Sequence, residues 1–313
     1  MTRVAVATAL GGPEVLQIVE EAVAHPAAGQ VLVDIKAIGV NPIDYKLYSG
    51  AFGSDESTLP IRLGSEASGV VTAVGAGATG PAGPISVGDE VIVTGVSGSY
   101  AEKLLAPGDA VLPKPSNLSW EEAAGFVLVA GTSYDTLEVT KVGEGDTVLV
   151  HGAAGGVGSI VVQQAKARGA RVIATARAIN HDALRDYGAE PVEYGAGLLD
   201  RVKALSPNGI SVAIDTVGTD EAVDVSLALV ADKSRIVTIA AFDRADDDGF
   251  QSVGGGNQES AKRRKAARLE LVDAARAGTL VVPIAKTFPL DEVATAHREL
   301  QTQHSRGKFI LIP

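Results

Sequence analysis

The chain of 313 residues is 46% hydrophobic and 21% charged, with a formal net charge of −11 and no cysteine. That length suits two domains of roughly 100–200 residues each, and the acidic balance repels a phosphate-rich partner such as nucleic acid. The missing cysteines exclude disulfides, thiolate nucleophiles and cysteine-containing zinc sites, and five scattered histidines (His25, His151, His181, His297 and His304) show no metal-ligand spacing, so no metal is expected.

The opening segment MTRVAVATALGGPEVLQI has no long apolar core, because Gly11, Gly12, Pro13 and Glu14 break it early. No apolar run reaches the ~18 residues of a membrane-spanning helix. A cytoplasmic protein with no membrane partner is expected. RVAVATAL, QVLVDIKAIGV, SGVVTAVGAG and GDEVIVTGV then read as short strands. Turn clusters such as GATGPAGPISVGD separate them, as in a compact β-barrel. The texture changes at PSNLSWEEAAGF. There, Ser119 followed three residues later by Glu122 is a capping-box pattern that opens a helix.

Strands and helices alternate from that point. DTVLVHG, ARVIATA, GISVAIDTVG and SRIVTIAAF read as strands. GGVGSIVVQQAKARG, HDALRDYG and DEAVDVSLALV read as the helices between them. This alternation predicts right-handed βαβ crossovers and a doubly wound parallel sheet, covered on both faces, in an α/β chain. Helices at RLELVDAARAG and LDEVATAHRELQTQ and a strand at KFILIP close the chain. The basic run KRRKAAR, Lys262 to Arg268, is flanked by Glu259, Glu270 and Asp273 and reads as a solvated helix face. His297 and His304 can share one helix face and read as a surface pair.

Ala153, Gly155 and Gly158 occupy the three positions of a GxGxxG motif between a predicted strand and a predicted helix. Gly155 would let the backbone approach a pyrophosphate over the helix N-terminus, and Gly158 would let the helix pack closely on the strand. Dinucleotide sites that prefer NAD place an acid near the end of the next strand, about 20 residues on. This chain has Thr175, Ala176 and Arg177 there, and no acid until Asp182. An arginine can bind a 2′-phosphate through paired, charge-assisted hydrogen bonds, so NADPH is the expected cofactor. The plain alternative makes Arg177 a solvent-facing surface residue.

Over nearly its full length the chain resembles the zinc-free quinone oxidoreductases of the medium-chain dehydrogenase/reductase superfamily. The segments that carry the resemblance are IGVNPIDYKLYSG, LGSEASGVVTAVG, VGDEVIV, GAAGGVGSIVVQQAKARGARVIATA, AIDTVG and FPLDEVATAHRELQTQHSRGKFIL. It implies a GroES-like catalytic domain made from both chain ends, residues 1–119 and 265–313, with a Rossmann NADP(H)-binding domain at 120–264 between them. It also implies a homodimer. Ser65 stands in GSE where zinc-dependent relatives read GHE, which agrees with the missing cysteines.

The resemblance further implies that Gly155, Gly156, Val157 and Gly158 hold the pyrophosphate, with Ala153 and Thr175 beside them. Arg177 and Asn180 would lie at the 2′-phosphate, although Arg177 replaces the serine of many relatives. Tyr194 would line the adenosine half, Thr132 the nicotinamide ribose, and Val217 and Gly218 would close the strand end beside the cofactor. Asn41, Asp44, Tyr45 and Lys46 would form the catalytic segment, with Lys46 also reaching the cofactor. NPIDYK resembles the enone and alkenal reductases, so the expected substrate is a small-molecule quinone or the activated C=C of an enone. Lys46, Tyr45, Tyr48 and Asn41 are the local hydrogen-bond donors for a developing enolate. Tyr45 and Tyr48 fit apolar packing equally well, and Asp44 fits a helix cap. A trans-2-enoyl thioester reductase and a non-catalytic NADPH-binding redox sensor are the alternatives.

Overall fold

β-branched residues dominate the strands of a first unit formed by Met1–Leu128 and Arg268–Pro313. The computed structural model describes every residue except 52, 54, 255 and 303–305, so His304 lies outside the described residues. β1 (Thr2–Ala7) pairs with β2 (Leu16–Glu21) and β4 (Ile61–Arg62) in a three-stranded sheet. β3 (Gln30–Val40) buries Val31, Val33 and Ile35 on one face, the alternation of a half-covered strand. From Ala37 to Val40 every residue is covered.

Antiparallel partners of β3 are β5 (Glu66–Val74), β9 (Lys103–Pro107) and β18 (Lys308–Ile312). The larger sheet runs β10 (Val111–Pro113), β8 (Glu90–Thr94), β5, β3, β18, β17 (Ile284–Pro289). β17 and β18 are parallel, joined through α9 (Val293–Thr302). A short hairpin, β6 (Thr79–Gly80) with β7 (Gly83–Pro84), and α1 (Pro42–Tyr48) also belong to the unit. α1 escaped the sequence reading because it is a seven-residue helix entered through a proline.

The second unit, Val129–Ala267, is a parallel sheet ordered β13 (Glu190–Val192), β12 (Arg171–Thr175), β11 (Thr147–His151), β14 (Val212–Asp215), β15 (Ile236–Thr238), β16 (Gln251–Ser252). Chain order 3-2-1-4-5-6 is the doubly wound pattern, and it reverses between β11 and β14. The helices are the end of α2 (Trp120–Val139), α3 (Gly156–Ala167), α4 (His181–Asp186), α5 (Leu198–Leu205), α6 (Asp220–Leu229), α7 (Phe242–Asp248) and the start of α8 (Gln258–Arg276). Ser119 opens α2 as its pattern predicts: Glu122 N–H donates to Ser119 Oγ at 3.1 Å and Ser119 N–H to Glu122 Oε2 at 2.8 Å.

Two expectations shift. The units divide at 128/129 and 267/268, not at 119/120 and 264/265. The first turns of α2 belong to the first unit because Ala124 packs with Ala37 and Ile310, and Leu128 N–H donates to Glu66 Oε2 at 3.0 Å. The basic run is only partly solvated. Lys262 pairs with Glu259 at the surface, but Arg263 Nε reaches the buried carboxylate of Asp135, and Arg264 is half-buried.

Candidate functional site

β11 runs apolar to its carboxyl end at His151 and then turns at Gly152, whose φ of +71° suits glycine. Two bonds tie the turn to β12: Gly152 N–H to Thr175 Oγ1 at 3.3 Å and Ala153 N–H to Thr175 O at 3.1 Å. Gly155 is the N-cap of α3, and its N–H donates to Gly152 O at 3.0 Å. Among the described residues no side chain caps this helix, and its first turn carries no acid, so its positive end suits an anion. At Gly158 a Cβ would stand 2.8 Å from Ala153 Cα and would press on Gly152 O. Only glycine lets α3 lie this close to the turn. The cradle therefore fits a pyrophosphate.

Asp215, at the end of β14, is the organiser that the sequence reading passed over. Its buried carboxylate accepts Val217 N–H and Gly218 N–H, each at 2.9 Å, and Thr238 Oγ1–H at 2.7 Å. Thr216 Oγ1 donates to His151 O at 2.7 Å, so the turns after β11 and β14 are pinned together where the strand order reverses. A polar Asp-Thr pair ending an apolar strand was the available signal. Val217 is exposed here, as are Arg177, Ile179 and Tyr194 beyond β12 and β13, while Asn180 is half-buried. Thr132 is buried within α2. Ala153, Gly155, Gly156, Val157, Gly158, Thr175, Val217 and Gly218 thus gather at the carboxyl ends of β11, β12 and β14.

His151 is buried and its Nε2 meets no hydrogen-bond partner among the described residues. Desolvation holds its pKa down at about 4, against an opposing pull from Asp215. A histidine with a depressed folded pKa binds its proton more readily when unfolded, so stability is lost as pH falls from 6.5 towards 4. In the first unit, buried His297 behaves alike, with a pKa near 4. Buried Asp44, raised to about 6, acts in the opposite direction, contributing stability at low pH that fades as pH rises through 6. Those two largely offset each other, whereas His151 has no such counterweight. We expect acidification from pH 7 to 4.5 to destabilise the native protein by about 2 kcal/mol more than a His151→Gln variant, as read by urea unfolding. Equal pH slopes for the two proteins would refute this.

In the first unit, the NPIDYK segment is held from below by a buried polar network. Asn41 N–H donates to Asp44 Oδ2 at 2.8 Å, so Asp44 caps the first turn of α1. Asn41 Nδ2 donates to Glu66 Oε1 at 3.0 Å, and its Oδ1 accepts from Lys308 Nζ. Lys308 Nζ also reaches Val40 O at 2.9 Å and Glu66 Oε1 at 3.0 Å. Asn41, Asp44 and Tyr48 are therefore engaged internally, and Tyr48 Oη is tethered to His297 Nδ1 at 2.7 Å. Tyr45 and Lys46 remain half-exposed. His297 is no surface residue: it lies on the inward face of α9 with Val293 and Ala296. The sequence reading missed Glu66, Tyr100, His297 and Lys308 as a group. Charges inside the apolar runs EASGVV and KFILIP were their signal.

Among the described residues, buried Ser65 Oγ meets no hydrogen-bond partner, and no group of three or more His, Asp or Glu could hold a metal ion. Residues 27–116 match the family model for the alcohol dehydrogenase GroES-like domain, and 179–311 match that for a zinc-binding dehydrogenase. The chain is 32% identical to quinone oxidoreductase 1 of Escherichia coli K12 over 97% of both sequences. It is 30% identical to 2-methylene-furan-3-one reductase of Solanum lycopersicum, covering 98% of this chain and 78% of the relative. Among solved structures, Escherichia coli quinone oxidoreductase complexed with NADPH superposes with a TM-score of 0.86 at 30% identity over the full length of both chains.

Proposed function

Because this chain belongs to the quinone oxidoreductase branch of the medium-chain dehydrogenase/reductase superfamily, we propose that it is an NADPH-dependent, zinc-independent reductase of a quinone or of the activated C=C of an enone or alkenal. The observation that carries the reading is the turn after β11, where Gly158 brings an uncapped, acid-free helix end against the strand terminus. That is an anion cradle at the switch point of a doubly wound sheet. Relatives named for both substrate classes support the choice of acceptor.

Bound NADPH supplies hydride. The chain's own work is to hold the nucleotide, orient the acceptor and keep water away from both. Gly155, Gly156, Val157 and Gly158 present the helix end to the pyrophosphate, and Thr175 braces the turn. Arg177, Asn180 and Tyr194 follow β12 and β13 and serve the adenosine half. Thr132 serves the nicotinamide ribose, and Val217 and Gly218 stand beside the cofactor at the end of β14. When hydride reaches the β-carbon of an enone, negative charge develops on the carbonyl oxygen, and a hydrogen-bond donor aimed there lowers the barrier. Tyr45 and Lys46 are the donors of α1 left partly exposed, with Lys46 also serving a cofactor ribose hydroxyl. Asn41 and Asp44 act by holding that segment in place.

Following NADPH absorbance against a small panel of quinones and enones tests the reading; no turnover with any of them would end it. Fluorescence titration should give NADPH an affinity at least about fivefold above that of NADH, since a guanidinium can pair with the 2′-phosphate and no acid follows β12 in sequence before Asp182. Equal affinities would remove Arg177 from the site. The chain has no cysteine and Ser65 replaces the histidine of GHE, so exhaustive chelation should leave activity unchanged. Loss of activity restored by zinc would overturn zinc independence.

A further inference from the structure

Four titratable side chains form one unbroken hydrogen-bonded line through the core of the first unit. Tyr48 Oη lies 2.7 Å from His297 Nδ1, His297 Nε2 lies 3.1 Å from Tyr100 Oη, and Tyr100 Oη lies 2.8 Å from Asp44 Oδ2. All four residues are at most 1% exposed. The rings interlock as well: Tyr48 stacks on the imidazole at an interplanar angle of 18°, and Tyr100 meets it edge-on at 82°.

Counting hydrogens gives the line a direction. Each hydroxyl has one proton, and a neutral imidazole carries one N–H and one bare nitrogen. An ionised carboxylate only accepts, so Tyr100 spends its proton on Asp44 Oδ2, which also accepts Asn41 N–H. The Tyr100 oxygen must then accept from His297, which puts the proton on Nε2. Nδ1 is bare and accepts from Tyr48 Oη. The other neutral tautomer would set the Nε2 lone pair against the Tyr100 oxygen and break the line. Desolvation depresses the pKa of His297, which keeps the ring neutral.

One imidazole thereby grips α1 at two places. It holds Tyr48 directly and Asp44 through Tyr100, and these positions are one helical turn apart with Tyr45 and Lys46 between them. A seven-residue helix has little stability of its own, so tertiary anchors decide its orientation. We propose, resting on the reductase reading above, that His297 in its Nε2–H form is a positioning residue that fixes α1 and thereby aims Tyr45 and Lys46 at the acceptor.

Long-range proton–nitrogen NMR spectra of histidine-labelled protein at pH 7, with the His297 signals assigned by their loss in His297→Gln, should show the Nε2–H tautomer. An Nδ1–H ring or an imidazolium would overturn the proposal. In kinetics, His297→Phe should keep NADPH affinity within about twofold while kcat/KM for the quinone or enone falls at least about tenfold, as expected of a small misplacement of the acting groups. His297→Gln, with a donor and an acceptor at the end of its side chain, should recover most of that loss. Where His297→Phe does not fold, Tyr48→Phe serves instead; it removes one bond of the line and should lower kcat/KM several-fold with NADPH affinity intact. Acceptor kinetics unchanged in a folded variant, or NADPH affinity falling in step with turnover, would overturn the positioning role alone. A wild-type protein that turns over no quinone or enone would overturn the reductase reading itself.

Discussion

Glu66→Ala is expected to destabilise the first unit by about 3–5 kcal/mol, the usual cost of removing one partner from a buried ion pair. Glu66 is fully covered and Lys308 is 4% exposed. The three protons of the ammonium are matched to three acceptors: Glu66 Oε1, Asn41 Oδ1 and Val40 O. Alanine would remove the countercharge and leave a cation inside the barrel. It would also remove the carboxylate oxygen to which Leu128 N–H donates at 3.0 Å. Asn41, which opens α1, would lose the nearer of two acceptors for its Nδ2 and keep only Gly39 O at 3.5 Å. Removing the other charge as well, in Glu66→Gln with Lys308→Met, should restore a large part of the loss, because the desolvation cost of the pair disappears with it. Urea unfolding of the two variants reads both numbers. A cost under about 1 kcal/mol for Glu66→Ala would mean that water or another group reaches Lys308.

Gly158→Ala is expected to weaken NADPH binding by more than about tenfold and to cost about 1–3 kcal/mol of stability. The new Cβ would sit 2.8 Å from Ala153 Cα and 2.9 Å from the carbonyl carbon of Gly152. Both are backbone atoms pinned on other sides: Gly152 and Ala153 are bonded to Thr175, and the chain just before them is bonded to Thr216. The strain must therefore move α3, and with it the helix end that receives the pyrophosphate. Gly155→Ala makes a useful contrast, since its Cβ would stand 3.3 Å from the Gly152 carbonyl oxygen and should cost less stability. Fluorescence titration and thermal unfolding of both variants test the argument. Wild-type affinity in Gly158→Ala would show that the helix end is not the binding element.

Local patterning made much of this architecture legible. The alternation of Val31, Val33 and Ile35, the Ser119 and Glu122 pair, and the glycine spacing from Gly152 to Gly158 each specify backbone geometry within one strand, turn or cap. Those preferences act over a few residues and survive without the rest of the fold. The resemblance carried by NPIDYK, the glycine loop and AIDTVG then led to the dinucleotide-binding reductase family.

What the chain could not disclose by itself is which polar residues are brought together from distant positions. Asn41, Glu66 and Lys308 are up to 267 residues apart, and Tyr48 meets His297 across 249. A charge beside an apolar run, as at Lys308 in KFILIP, marks a position worth noting but does not tell a snorkelling lysine from a buried one, and His297 reads equally well as a surface residue. Asn41 and Asp44 had the composition of catalytic groups, yet folding spends their hydrogen bonds on Glu66, Lys308, Tyr100 and the start of α1. The reason is that burial is a property of the assembled sheet and helices. Once water is excluded, each buried donor and charge must find its partner among whatever the topology places beside it.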